Sequence, residues 1–151
     1  MRSLGGDDYA ILRLPQPMAD IVPLKMTTDT FKSQDVIAAG YPGFDLSLQM
    51  KNPQGRNKIP SSTFTKGAIR FIERFEGRYP AISHDADIRK GNSGGPLVDY
   101  CGRVVGINTF GVRPKSGGDS VEVDFALSSE GVMAFLKENN IQFRRSDGEC
   151  N

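Results

Sequence analysis

Six stretches of this chain are rich in β-branched or aromatic residues, and each is bounded by glycine, proline, asparagine or serine, the pattern of short strands separated by turns. They lie near residues 35–41, 63–73, 78–84, 96–100, 102–109 and 120–127. β-branched and aromatic side chains suit a pleated, half-buried surface, whereas glycine and proline interrupt one. Pro42-Gly43, Asn52-Pro53-Gln54-Gly55 and Pro114-Lys115-Ser116-Gly117-Gly118 are the strongest turn signals between the stretches. With 17 glycines and 9 prolines among 151 residues, the chain is turn-dense enough for an all-β fold. Its length suffices for one domain with a real core and is too short for two of ordinary size. Six strands are what one closed Greek-key barrel needs.

Other segments are organised differently. A further short strand is expected over Tyr9 to Leu14, and the stretch from Pro15 to Ser33 reads as a linker. Phe44 to Ser62 is long and polar, which suits a mobile loop or an extra hairpin. Near the end, Ser128-Ser129-Glu130 offers N-cap chemistry, and Val132, Phe135 and Leu136 fall at i, i+3 and i+4. That spacing predicts an amphipathic helix ended by Asn139-Asn140.

Charge excludes some classes of partner. Lys plus Arg total 19 against 18 Asp plus Glu, a net charge of +1 that provides no basic field for nucleic acid or an anionic membrane. No apolar run approaches the length of a transmembrane helix, and the first residues lack the apolar core of a signal peptide. Two cysteines make neither a metal site nor a disulfide framework, and no cofactor is expected. Cys101 lies in a Tyr-Cys-Gly turn signal of an expected hairpin and Cys150 in a polar tail; free thiols are the expectation, with pairing the alternative.

Chemistry enters with Gly91-Asn92-Ser93-Gly94-Gly95-Pro96-Leu97, one serine enclosed by glycines. Glycines on both sides let backbone N–H groups crowd around the hydroxyl, as a developing oxyanion next to a nucleophile requires. Clusters of Gly, Asn and Ser also make ordinary turns that do no chemistry. Gly91-Asn92-Ser93-Gly94-Gly95 also satisfies the G-x-S-x-G pattern of α/β-hydrolases. That fold needs a helix directly after the serine and a later histidine; Gly94-Gly95-Pro96 breaks helix and no histidine follows Ser93.

The heptad resembles the active-site serine signature of the trypsin-like (chymotrypsin-fold) serine proteases, and the wider run from Ser83 to Ser93 is most similar to the bacterial HtrA-type branch. Asp8-Tyr9-Ala10-Ile11-Leu12 resembles the segment carrying the family's triad aspartate. Residues 36–42, 65–69, 102–109 and 124–127 resemble strands of its second barrel. The resemblance implies a six-stranded Greek-key barrel with a C-terminal helix over 34–151, preceded over 1–33 by a remnant strand of the first barrel and a linker. It implies Ser93 as nucleophile, the N–H groups of Gly91 and Ser93 as oxyanion hole, and Asp8 as the carboxylate that orients the base. Thr109-Phe110-Gly111 matches the strand that pairs with substrate backbone. Asp87, six positions before Ser93, stands where trypsin-like enzymes selective for Lys or Arg carry an aspartate; a surface role is the alternative. Asn92 replaces the aspartate that binds a freed N-terminus in zymogen-activated relatives, so no such cleavage is expected to be needed.

The base is missing from the pattern. The family's catalytic histidine precedes its aspartate, and the one histidine here is His84, on the strand leading into the serine loop. His84 is expected to be a partly exposed or hydrogen-bonded structural residue. Without a base, a serine-protease site retains roughly one part in 10⁶ of its turnover. The expected function is therefore a serine endopeptidase acting on peptides or proteins, seen as its C-terminal part and inactive alone. The alternative is a pseudoprotease whose barrel binds peptides. An uncovered inter-barrel face predicts self-association, and the HtrA-type resemblance implies a periplasmic or secreted location.

Overall fold

In the computed structural model the described residues are 8–16, 18–43, 61–74, 78–112 and 123–149. Their strands are β1 (Lys25–Met26), β2 (Asp35–Gly40), β3 (Thr63–Glu73), β4 (Ala81–His84), β5 (Pro96–Asp99), β6 (Val104–Val112), β7 (Val123–Ser128) and β8 (Arg144–Arg145). One helix, α1 (Ser129–Glu138), follows β7 directly. β2 to β7 pair antiparallel in the order β5-β2-β3-β4-β7-β6, and β5 pairs with β6 to close a six-stranded barrel. Closure leaves no free edge among these six strands.

Alternation decides what fills the barrel. Val36 and Ala38 of β2, Ile69 of β3, Ile82 of β4, Leu97 of β5, Val105 of β6 and Ala126 of β7 meet in the interior. Ala86 and Ile88, from the segment between β4 and β5, join the same cluster. Burying each Val, Leu or Ile contributes about 1.5–3 kcal/mol, so the serine loop is anchored by the barrel core itself. Gly67 permits this approach, since a Cβ there would lie 2.2 Å from the Ala86 nitrogen.

The six predicted strands are all present, with ends shifted by up to three residues. The helix is present too and buries Val132 and Phe135, with Leu136 half-buried against them. Its cap differs from expectation: Ser128 occupies the N-cap without a side-chain cap bond, and the Ser129 hydroxyl donates instead to the Val104 carbonyl at 2.6 Å. Tyr9 stacks on Phe135 with ring centroids 5.2 Å apart. Tyr9 to Leu14 forms no strand, because no neighbouring strand among the described residues offers it a ladder. Leu12 is instead 89% exposed. The expected linker contains β1, which pairs parallel to β6 at Met26 and Val104 and to β8 at Lys25 and Arg144. Most of the polar stretch 44–62 and the 114–118 turn lie outside the described residues.

The segment after α1 folds back as a strap. Arg103 donates from Nη1 to the carbonyls of Ser146 (3.3 Å) and Gly148 (2.8 Å), and the Gly148 amide donates to Asp29. Arg103 itself is held by Asp99, with Nε to Oδ2 at 2.7 Å in a pair almost wholly buried. This return brings residues 146–148 to the β5–β6 hairpin, where Cys101 is disulfide-bonded. The expectation of a free thiol at Cys101 is thereby corrected. Cys150 lies outside the described residues.

Candidate active site

Ser93 sits on the loop between β4 and β5, and its neighbours fix that loop residue by residue. Asp85 accepts the Ala68 amide through Oδ1 at 2.6 Å and pairs with Arg70 through Oδ2 at 3.3 Å. The Thr65 hydroxyl donates to the Asp87 carbonyl at 2.8 Å. Asp124 of β7, buried, accepts the Ile88 amide at 3.2 Å. Beyond the serine, the Gly94 amide donates to the Asn108 carbonyl and the Asn108 amide returns to the Gly95 carbonyl. The loop is thus stitched to β3, β7 and β6 in turn.

The serine hydroxyl is exposed and donates to the Thr109 carbonyl at 2.6 Å. Asp8 and Ser93 line one cavity of about 450 Å³, together with Tyr9, Gly94, Asn108 and Thr109. Phe135 and Leu136 of α1 form part of its apolar wall. The structure therefore brings together two residues 85 positions apart (93 − 8 = 85) that the sequence motifs assign to one site. Thr109 borders the same cavity; Gly111 lies further along β6, opposite Asp124 of β7, and Phe110 is placed only through its backbone in β6.

Asp87 is not among the residues lining that cavity. Its carboxylate is half-exposed and accepts from Arg89 Nε (3.2 Å) and Nη2 (3.0 Å). His84 is also remote in character from the serine. It is wholly buried on β4 and paired in register with Ile69 and Asp124. The expected structural role holds, but partial exposure is corrected: β4 runs through the barrel with all four residues buried. Burial pushes the imidazole pKa below 6.5, opposed by the negative charge of Asp124, by the Ala86 backbone and by Asp85.

Two positioning groups were not singled out from the sequence. Asp124 carried a readable signal, for it falls in phase with the inward-facing Ala126 and Ser128 of β7. Gly43, whose amide donates to the Lys90 carbonyl at 2.5 Å, carried none beyond a turn dipeptide. Asn92 is buried, with its side-chain oxygen unpartnered and the Gly40 backbone against its Cα. Among the described residues no cluster of three His, Cys, Asp or Glu is placed to hold a metal ion.

A profile of the trypsin-like peptidase domain matches residues 2–107, well over half of the chain. The chain belongs to the trypsin-like peptidase family. Within that family it is 32% identical over 126 residues to the periplasmic pH-dependent serine endoprotease DegQ of Escherichia coli K12, covering 83% of this chain and 26% of that protein. It is 33% identical over 134 residues to serine protease HTRA1B of Danio rerio, covering 88% of this chain and 25% of that one. The chain thus spans about a quarter of the length of these relatives. Among solved structures, the active form of the Rv3671c protease from M. tuberculosis superposes with a TM-score of 0.59 at 25% identity, over 89% of this chain and 55% of that one. The HtrA-type protease AlgW, solved with a decapeptide, superposes at 0.56 and 27% identity, over 77% of this chain and 32% of that one. All three comparisons agree on the trypsin-like domain, and the HtrA-type likeness comes from the relatives and the solved structures.

Proposed function

We propose that this chain carries the nucleophile and substrate-pairing half of a serine endopeptidase that cleaves peptide bonds through an acyl-enzyme on Ser93. The observation that carries the reading is the shared cavity of Ser93 and Asp8, bordered by Thr109, in a chain of the trypsin-like family. Ser93 Oγ attacks the scissile carbonyl carbon while its proton passes to a base. The N–H groups of Gly91 and Ser93 receive the resulting oxyanion, and the base then protonates the leaving amine. Water reverses the sequence to release the acyl group. An extended substrate pairs its backbone along Thr109-Phe110-Gly111. Asp87 serves a basic substrate side chain only by exchanging its Arg89 partner for it.

The base comes from residues outside these 151. His84 cannot fill the role, being enclosed in the barrel. A histidine seated over the Asp8–Ser93 cavity would have Asp8 to orient it. The isolated chain is accordingly inactive. Its exposed apolar run, including Leu12, Leu14, Met18, Ile21 and Val22, drives self-association when nothing covers it. The disulfide at Cys101 favours an oxidising location, periplasmic or secreted.

A second reading is a peptide-binding pseudoprotease, favoured by the engagement of the Ser93 hydroxyl with a carbonyl and not with a base. One experiment separates the two. The 151-residue chain and the longest product from the native source are compared for hydrolysis of an unfolded protein substrate, each with and without Ser93→Ala. The endopeptidase reading expects hydrolysis only from a longer product bearing an upstream histidine, and its loss in S93A. Peptide binding without cleavage by the native product would favour the pseudoprotease, and hydrolysis that survives S93A would sink both.

A further inference from the structure

The Gly40-Tyr41-Pro42-Gly43 segment is the surface on which the serine loop is moulded. The Gly43 amide donates to the Lys90 carbonyl at 2.5 Å. A trans peptide points its C=O and N–H in opposite directions, so a Lys90 carbonyl tied to Gly43 turns the Gly91 N–H to the other side of the loop. Gly91 has φ +103°, and a Cβ there would lie 2.2 Å from the Tyr41 carbonyl oxygen. A Cβ on Gly40 would lie 2.8 Å from the Asn92 Cα. The two segments therefore meet backbone to backbone on both sides of the Gly91–Asn92 peptide.

We propose that Gly43 is a positioning residue, whose amide holds the Lys90–Gly91 peptide in the orientation that offers the Gly91 N–H to an oxyanion on Ser93. The inference rests on the reading of Ser93 as nucleophile and Gly91 as donor. Glycine crosses φ/ψ space at little cost, so nothing intrinsic to Gly91 prevents this peptide from flipping. Flipped, it would aim a carbonyl oxygen where the N–H is needed, and a negative oxygen would meet repulsion in place of a donor. One hydrogen bond of ordinary net strength biases such a flip by about two- to tenfold.

The test uses a peptide boronic acid and the same peptide ending in a carboxamide. Boron takes a lone pair of Ser93 Oγ, the serine proton leaves to solvent, and the tetrahedral borate, anionic overall, sets an electron-rich hydroxyl oxygen where the oxyanion would sit; the carboxamide measures backbone pairing alone. Gly43→Pro removes the amide, whereas Gly43→Ala keeps it and adds a Cβ about 3.2 Å from the Lys90 oxygen. The expected result is a loss of boronate affinity of about two- to tenfold in G43P, carboxamide affinity unchanged, and near-complete recovery in G43A. Should G43P fail to fold, Gly40→Ala displaces Asn92 instead and is expected to show the same selective loss. Unchanged boronate affinity in the folded variant, or equal weakening of both peptides, would overturn the inference. A wild-type chain that binds the boronate no tighter than the carboxamide would instead overturn the reading of Ser93 and Gly91, and the inference with it.

Discussion

Ser93 Oγ and the Thr109 carbonyl are joined by a 2.6 Å hydrogen bond, so the proposed nucleophile rests on the strand proposed to pair with substrate. The bond links two elements 16 residues apart and occupies an acceptor that a β-pairing peptide would also use.

Ser93→Ala is therefore expected to bind an extended peptide more tightly than the unsubstituted chain. Releasing one competing hydrogen bond should gain about 0.5–1.5 kcal/mol. Isothermal titration with an uncleavable peptide measures it; equal or weaker binding by S93A would show that the Thr109 carbonyl is not the shared acceptor.

His84 makes stability depend on pH in a definite direction. Its folded pKa is depressed, chiefly by burial, so below about 6.5 the unfolded chain takes up a proton that the folded barrel resists. This part of the stability is fully present above the unfolded pKa and is lost as pH falls from there through the folded value. Urea titrations between pH 8 and about 5 should show the decline for the natural chain and a flatter profile for His84→Gln. A natural chain as stable at pH 5 as at pH 8 would contradict the assignment.

Asp99 binds more than its ion-pair partner. It accepts the amides of Cys101 (3.0 Å) and Arg103 (2.8 Å) as well as Arg103 Nε. Asp99→Ala leaves a buried guanidinium without its charge partner and should cost about 3–5 kcal/mol in chemical denaturation. Because Arg103 also holds the strap carbonyls, amide exchange over residues 144–148 should accelerate in the same variant. A loss below about 1 kcal/mol would place this pair among weak surface bridges.

The disulfide at Cys101 should be worth about 2–5 kcal/mol, the range for a native bridge in a small domain. Cys101→Ser is expected to unfold at lower temperature than the natural chain under oxidising conditions. Adding a reductant should lower the natural chain's transition and leave that of C101S unmoved. Identical transitions for the two proteins would rule out a stabilising bridge.

Strands, helix face and serine loop were legible because each is encoded within a few neighbouring residues. Stretches rich in β-branched and aromatic residues between turn residues mark β2 to β7, the i, i+3, i+4 spacing of Val132, Phe135 and Leu136 marks α1, and glycines around Ser93 mark a crowded turn. Family resemblance supplied the kinship of Asp8 with Ser93, but not the 450 Å³ cavity that joins them. The rest depended on residues distant in sequence. β1 and β8 are two residues each, β1 resting on Val104 of β6 and on β8 at Arg144, ladders too short to leave any periodicity. His84 read from the sequence as a structural residue, and only the flanking of β4 by β3 and β7 decided that it is wholly core. Cys101 became half of a bridge once the strap returned past Arg103. The amino-acid sequence by itself determined the β-barrel class and the glycine-enclosed turn that presents Ser93, since propensity and local backbone sterics act at short range. Tertiary structure alone decided which carbonyl holds the Ser93 hydroxyl, which amide holds Lys90 and where His84 lies, because those depend on closure of the barrel.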